Sequence, residues 1–200
     1  MLKRPTLAPD DATTPTSSDL DSRAATKESL GMDFQELIRV RRSIRGYKPE
    51  QVDDDVLHRV LGAGRIAPTA ANLQPVHLIL VTDAEVRARL KAAYAREWFY
   101  TAPAIVVGCV EPAKAWQRSD GFNAGELDIA IVMDHIVLAA AEEGLGTCWV
   151  VAFDEAKVKE ILGVPPDVRV IAMTPLGHPN SEPRPFARKR IEDLLHKDRW

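Results

Sequence analysis

One stretch limits the fold of this chain more than any other. Residues 126–143, E-L-D-I-A-I-V-M-D-H-I-V-L-A-A-A-E-E, are apolar on nearly every side of a helix and rich in alanine. A helix without a broad polar face must be covered on more than one side, so the rest of the chain has to be arranged around it. The pattern predicts a central buried helix, closed by Gly144 and Gly146. Asp128, Asp134 and His135 interrupt the apolar run, which argues against a membrane span.

Shorter elements surround it. Asp33 and Glu36 have the spacing of a capping box ahead of Phe34, Leu37 and Ile38. A second helix is expected from the acids Asp53, Asp54 and Asp55, with Val56, Leu57, Val60 and Leu61 on one face. Strands are expected over V-H-L-I-L-V-T (76–82), I-V-V-G-C-V (105–110), T-C-W-V-V (147–151) and V-R-V-I-A-M-T (168–174). Helices are expected from Asp83 and from Asp154 to Leu162, the latter stopped by Gly163 and Pro165. Helices and short strands mix without a regular βαβ alternation, which favours an α+β fold.

The first 30 residues are rich in Thr, Ser, Asp and Pro and have no hydrophobic period; they are expected to be a disordered leader, with residues 31–200 as a single domain. Cys109 and Cys148 each sit in an apolar run, which suits buried thiols better than a disulfide or a zinc site. With no signal peptide after Lys3 and Arg4, a cytoplasmic location is expected. The formal charge of −3 argues against nucleic acid as the main partner, and no membrane partner is expected.

Gly62-Ala63-Gly64-Arg65-Ile66-Ala67 fits the dinucleotide pattern G-x-G-x-x-A, with Asp83 about twenty residues on. That pattern must follow a strand and open a helix, so that pyrophosphate meets free N–H groups. Here D-D-V-L-H-R-V-L precedes it, placing the glycines late in a helix, where small residues allow close approach.

Positive charge is concentrated in two places. V-R-R-S-I-R-G-Y (40–47) carries Arg41, Arg42 and Arg45 around Ser43, and R-P-F-A-R-K-R (184–190) carries four more cations. Arg41 and Arg42 could serve only to complement the negative end of a helix. That leaves Arg45 and the second cluster without a purpose. A phosphate monoester, with its two charges and several acceptor oxygens, matches guanidinium forks and a short hydroxyl donor. Between the clusters, R-I-A-P-T-A-A-N-L-Q-P-V-H (65–77) combines small residues with the amides of Asn72 and Gln74. Such a loop serves either as a simple helix-to-strand turn or as a close approach to a flat heterocycle.

The order R-R-S-I-R, A-P-T-A-A-N-L-Q-P, G-L-G-T-C-W and a basic C-terminal segment ending in I-E-D-L-L-H resembles the FMN-dependent nitroreductase family over residues 33–200. The resemblance implies a mostly antiparallel sheet flanked by helices, in an intertwined homodimer with a C-terminal extension and FMN at the interface. The apolar helix 126–143 fits the core of such a dimer as well as that of a single chain. Arg41 and Ser43 would hold the FMN phosphate and ribityl chain, with Arg42 in the same cofactor-binding set. Arg188 and Arg190 would complete the phosphate site, with Lys189 between them. Arg45 matches the family's cation near the pyrimidine edge, where reduction leaves negative charge that a fixed cation stabilises. Pro68, Thr69, Asn72 and Gln74 resemble the loop that reaches the cofactor from the partner subunit. Trp149, Val150, Val151 and Ala152 match the segment whose backbone lies along the ring.

By the same resemblance NADH or NADPH is the reductant, a nitroaromatic or quinone is the small-molecule acceptor, and no side chain need act as a catalytic acid, base or nucleophile. Thr69 stands where many relatives have Ser, and Val151 where many short ones have Gly. Y-A-R-E-W-F-Y (94–100) replaces a stretch that often carries Asn, and the short segment 111–123 leaves Trp116 and Phe122 as pocket residues or as loop anchors. Other flavin chemistry on the same fold, such as dehalogenation or double-bond reduction, and a flavin-free protein that binds a phosphorylated metabolite remain open at this point.

Overall fold

The computed structural model describes residues 32–200; the expected leader lies outside the described residues. Strands β1 (Val76–Val81), β2 (Ala104–Val110), β3 (Gly146–Thr147) and β4 (Arg169–Gly177) form one antiparallel sheet in the order β1-β2-β4-β3. The α-helices are α1 (Phe34–Val40), α2 (Asp54–Arg65), α3 (Ala84–Arg89), α4 (Glu97–Tyr100), α5 (Gly125–Glu142) and α6 (Glu155–Leu162). This is the α+β arrangement that the sequence predicts.

All seven residues of β2 are buried, because helices cover both faces of the sheet. Ala104 and Val106 join a core with Leu57 and Val60 of α2 and Ile129, Val132, Met133 and Ile136 of α5. Ile105, Val107 and Cys109 join the opposite core, with Leu90, Phe99 and Val158. Alternation along one strand therefore feeds two cores. In β4 a bulge changes this phase. Cys109 pairs with Val170 and Gly108 with Ala172, so Ile171 is the extra residue, and Val170 and Ala172 enter different cores despite their even spacing. Glu155, the first residue of α6, pins the bulge: its Oε1 accepts the Val170 N–H at 3.0 Å and Arg169 Nε–H at 2.8 Å.

Local signals explain most helix ends. Asp33 Oδ1 accepts the Glu36 N–H at 3.0 Å, which realises one half of the expected capping box. Asp83 and Asp154 cap α3 and α6 through Val86 N–H and Lys157 N–H, and Gly163 closes α6 at φ 68. The glycine-rich motif lies at the end of α2, as its context requires, and Gly64 marks the close approach of two helices. A Cβ there would come within 2.8 Å of the Ile136 side chain on α5.

Two expectations need correction. The helix over 126–143 is not covered all round within one chain. Its Ile129, Val132, Met133, Ile136, Val137 and Ala140 are buried, but Leu127 and Ile131 are 55% and 38% exposed, because sheet and α2 cover only one side. Strand 147–151 is also interrupted. In the β3–β4 register Cys148 would face Pro175, which has no N–H to give to the Cys148 carbonyl, so the ladder pair cannot be completed. Cys148 N–H turns instead to the buried Thr174 hydroxyl at 3.1 Å, and pairing resumes only where Val150 and Met173 exchange hydrogen bonds of 2.8 and 2.9 Å. Helix α4 was not expected at all; its single turn carries too short a period to read.

Candidate functional site

Residues 43–48 run as an extra, strand-like edge beside β3. Ser43 bridges Thr147 in parallel, and Ile44 N–H donates to Thr147 O at 2.9 Å. Further on, Asn180 N–H donates to Gly46 O and Lys48 N–H to His178 O, each at 2.9 Å. The segment is thus clamped between β3 and the start of the C-terminal tail. Ile44 is its buried anchor, and Gly146 must be glycine because a Cβ would meet Ile44 at 2.9 Å. With Ile44 turned inward, extended alternation sends Ser43 and Arg45 to the opposite side.

The tail then returns over these side chains. Arg42 Nη2 donates to Arg184 O at 2.6 Å, and the guanidinium groups of Arg42 and Arg188 each lie 3.9 Å from the centre of the Phe186 ring. Together they enclose a cavity of about 290 Å³ lined by Arg41, Arg42, Ser43, Arg45, Arg184, Pro185, Phe186 and Arg188. Among the described residues five arginines and no acid face it, and none of the five forms an ion pair. A second cavity of about 270 Å³ shares Arg45 and Arg184 with the first and adds Tyr94, Arg96 and Trp98. Arg45 lies 5.9 Å from the centre of the Trp98 ring.

Sequence reasoning put Arg41, Arg42, Ser43, Arg45 and Arg188 in the site, and the structure brings all five together. Arg190 is placed elsewhere: it pairs with Glu192 at 3.6 Å and Asp193 at 3.8 Å and does not line the cavity. Phe186 is absent from the candidates that the sequence offers, and in the unassigned stretch 94–100 the residues that line the second cavity are Tyr94, Arg96 and Trp98. An aromatic between two arginines, R-P-F-A-R, is a signal that could have found Phe186.

Behind the arginine segment, burial raises the Cys148 thiol above its usual range, against the pull of Arg45, Ser43 and Arg41. Burial pushes the Tyr47 phenol far up as well, and its hydroxyl donates to Ile44 O at 2.7 Å. Neither group is poised for proton transfer near neutrality. Among the described residues no cluster of His, Cys, Asp or Glu could hold a metal ion, and no helix is long and apolar enough to cross a membrane.

The loop Pro68–Gln74 has its own geometry. Ala71, Asn72 and Gln74 hold φ values of 51, 53 and 50°, a conformation that costs a non-glycine residue about 1–2 kcal/mol, with Asn among the tolerant types. Thr69 Oγ1 accepts the Gln74 N–H at 3.1 Å, and Gln74 Nε2 donates to Asn72 Oδ1 at 3.2 Å. Ala70 N–H donates to Asp128 Oδ1 at 2.8 Å. Thr69 and Gln74 border a cavity of about 350 Å³ with Gly64, Val76 and Val132. No residue of this loop lines the arginine cavity, so one chain keeps these two parts of the expected site apart. Trp149–Ala152 also lie outside it; Val150 is buried against Met173, whereas Val151 is 67% exposed. Trp116 and Phe122 flank a tight hairpin in which Arg118 covers the Phe122 ring at 4.8 Å, and they line neither arginine-walled cavity.

The fold recurs in known proteins. The Nitroreductase family model matches residues 38–110 and 91–178. A solved nitroreductase family protein from Clostridium difficile is 30% identical and superposes with a TM-score of 0.79, over 84% of this chain and 100% of that one. An Archaeoglobus fulgidus protein, provisionally named NADH dehydrogenase/NAD(P)H nitroreductase, is 30% identical over 82% of this chain and 97% of its own. The NADPH:FMN oxidoreductase of Vibrio harveyi, solved with NAD+, is 26% identical at a TM-score of 0.76, over 83% of this chain and 77% of that one. The family model and the structural likeness agree, and the chain belongs to the nitroreductase family.

Proposed function

We propose that the protein is an FMN-dependent oxidoreductase that takes hydride from NADH or NADPH and reduces a small acceptor such as a nitroaromatic or a quinone. The observation that carries this reading is the cavity walled by five arginines that form no ion pair among the described residues. Five cations facing one another without a described carboxylate repel, and an anion of high charge density placed among them relieves that repulsion. A phosphate monoester is such an anion, so the residues present fit the FMN phosphate.

Arg41, Ser43 and Arg188 are the donors that would hold that phosphate, with Arg184 beside them. Arg42 has a different duty: its bond to Arg184 O and its stacking on Phe186 hold the tail in place. Arg45 stands in the wall shared with the second cavity, so it is the cation available to the far end of an elongated ligand. Trp149, Val151 and Ala152 lie on either side of the Val150–Met173 bridge and offer backbone groups outside the sheet ladder. FMN, when bound, supplies the two-electron chemistry; the chain supplies charge, position and shelter from water.

The separation of the Pro68–Gln74 loop from the arginine cavity supports a homodimer in which a second copy brings its loop to the first copy's cofactor. Uncovered apolar surface supports it too. Phe34 and Ile38 on α1, and Leu127 and Ile131 on α5 beside it, are 63%, 42%, 55% and 38% exposed. An absorption spectrum of the desalted protein, with release of the chromophore, tests the cofactor. FMN near one per chain supports the reading. A colourless protein that takes up no added FMN overturns it and leaves a binder of phosphorylated metabolites. Light scattering on a sizing column tests the dimer.

A further inference from the structure

Asp128 is the one acid on the buried face of α5, and it is only 2% exposed. Its Oδ1 accepts the Ala70 N–H at 2.8 Å. Among the described residues this is the only hydrogen bond that ties residues 68–74 to another element; the others close on the loop itself. The loop has little packing to hold it, since Ala71, Asn72, Leu73 and Gln74 are all exposed. Three of those four residues nevertheless stand at positive φ without being glycine. Local propensity does not keep an exposed chain in that shape; a tether from outside must over-determine it.

We propose that Asp128 is the positioning residue of the cofactor-side loop. By fixing the Ala70 N–H it sets the first position of the turn Ala70–Asn72, and through that turn the directions of the Thr69 hydroxyl and the Asn72 and Gln74 amides. A carboxylate suits this task. It offers an acceptor oxygen on a short, stiff side chain, and its burial removes water as a competitor. It also stands on the helix packed against both β2 and α2, so the loop is referred to an element anchored in the core. The tether does not depend on the flavin reading, but its purpose does.

The test uses the full-length protein with and without FMN. In Asp128→Ala, amide hydrogen exchange in residues 69–74 should quicken about tenfold or more in the apo protein, while the rest of α5 keeps its protection. The FMN dissociation constant should rise by a similar factor, with an altered visible circular dichroism of the bound flavin, and Asp128→Asn, which keeps an acceptor oxygen, should restore most of both. Ala70→Pro removes the same bond from the donor side. Thr69 already has the extended conformation that a following proline demands, φ −129 and ψ 155. The two changes delete one interaction, so their effects on FMN affinity should not add.

Unchanged exchange in Asp128→Ala overturns the tether. Faster exchange with unchanged FMN affinity overturns the loop's duty toward the cofactor. Failure of the wild-type protein to take up FMN instead indicts the flavin reading, and the exchange measurement still decides the tether.

Discussion

Arg188 and Arg190 look alike in the sequence, yet their surroundings differ, and that difference sets a test. The Arg188 guanidinium lies over Phe186 in the cavity wall, with no carboxylate partner among the described residues. Its one hydrogen bond, to the neighbouring Ala187 O, is long at 3.4 Å. Arg190 is bracketed by Glu192 and Asp193, and its side chain is 76% exposed. For Arg188 the relevant quantity is a charge-assisted hydrogen bond to a phosphate oxygen, about 1.5–3 kcal/mol, which corresponds to roughly 10- to 150-fold in affinity. For Arg190, two exposed acids already screen the charge, and exposed pairs contribute about 0–1 kcal/mol, no more than roughly fivefold. Arg188→Ala should therefore weaken FMN binding at least tenfold, and Arg190→Ala by less than fivefold. Quenching of FMN fluorescence on titration, in apo protein at fixed ionic strength, measures both. Added salt should narrow the gap, because Arg188 is partly open to solvent. If Arg190→Ala costs as much as Arg188→Ala, the ion pairs seen here do not persist in the cofactor-bound protein, and the assignment by cavity lining is wrong.

Three further outcomes follow from the fold. The Glu155 carboxyl, which burial alone would raise, is held below its usual range by hydrogen bonds from Arg169 and the Val170 N–H. A depressed folded pKa means stability that is complete above the unfolded value, near 4.5, and lost as pH falls through the lower folded one. Glu155→Gln should thus lower stability by about 1–2 kcal/mol at pH 7 and flatten the acid limb of a urea-melt series; an unchanged limb would falsify this role. Gly64→Ala should destabilise by about 1–2 kcal/mol, the clash with Ile136 outweighing the helix preference for alanine. Gly62→Ala, with nothing within 4 Å of the new methyl, should stabilise by about 0.5–1 kcal/mol, and equal thermal shifts in the two variants would refute the packing account. Ala71→Gly should relieve about 1 kcal/mol of backbone strain, partly offset by chain entropy, so denaturation that shows a loss above about 1 kcal/mol would contradict the positive φ.

Much of the fold was legible because its signals are local. Asp33, Asp83 and Asp154 cap helices where they stand, and Gly163 ends one with its own backbone angle. What could not be read depends on partners distant in sequence. Pro175 shortens a strand that belongs to residues 147–151, and it does so only because the register sets it opposite Cys148. The bulge at Ile171 is likewise a property of the pair β2–β4, held by a glutamate from α6. Leu127 and Ile131 show the limit from the other side: their apolarity was visible, but a pattern does not say whether its own chain or a second copy provides the cover.

For the site, the distinction runs between charge type and charge state. Composition shows where arginines cluster, and R-R-S-I-R together with R-P-F-A-R was enough to point to a phosphate. Which cations are free is a matter of what lies within a few ångströms, and that sorts residues the sequence treats alike. Arg42 and Arg41 are neighbours that both line the cavity, yet the Arg42 guanidinium is committed to Arg184 O and Phe186 while that of Arg41 has no described hydrogen bond. Asp128 makes the same point for an acid. Along the chain it is a flaw in an apolar helix, a reason only to reject a membrane span. In space it is the sole hydrogen-bonding anchor described for a strained loop. An ionisable residue inside an apolar run is costly to bury, so it persists where it satisfies something. The informative question to put to such a sequence is which backbone that residue holds.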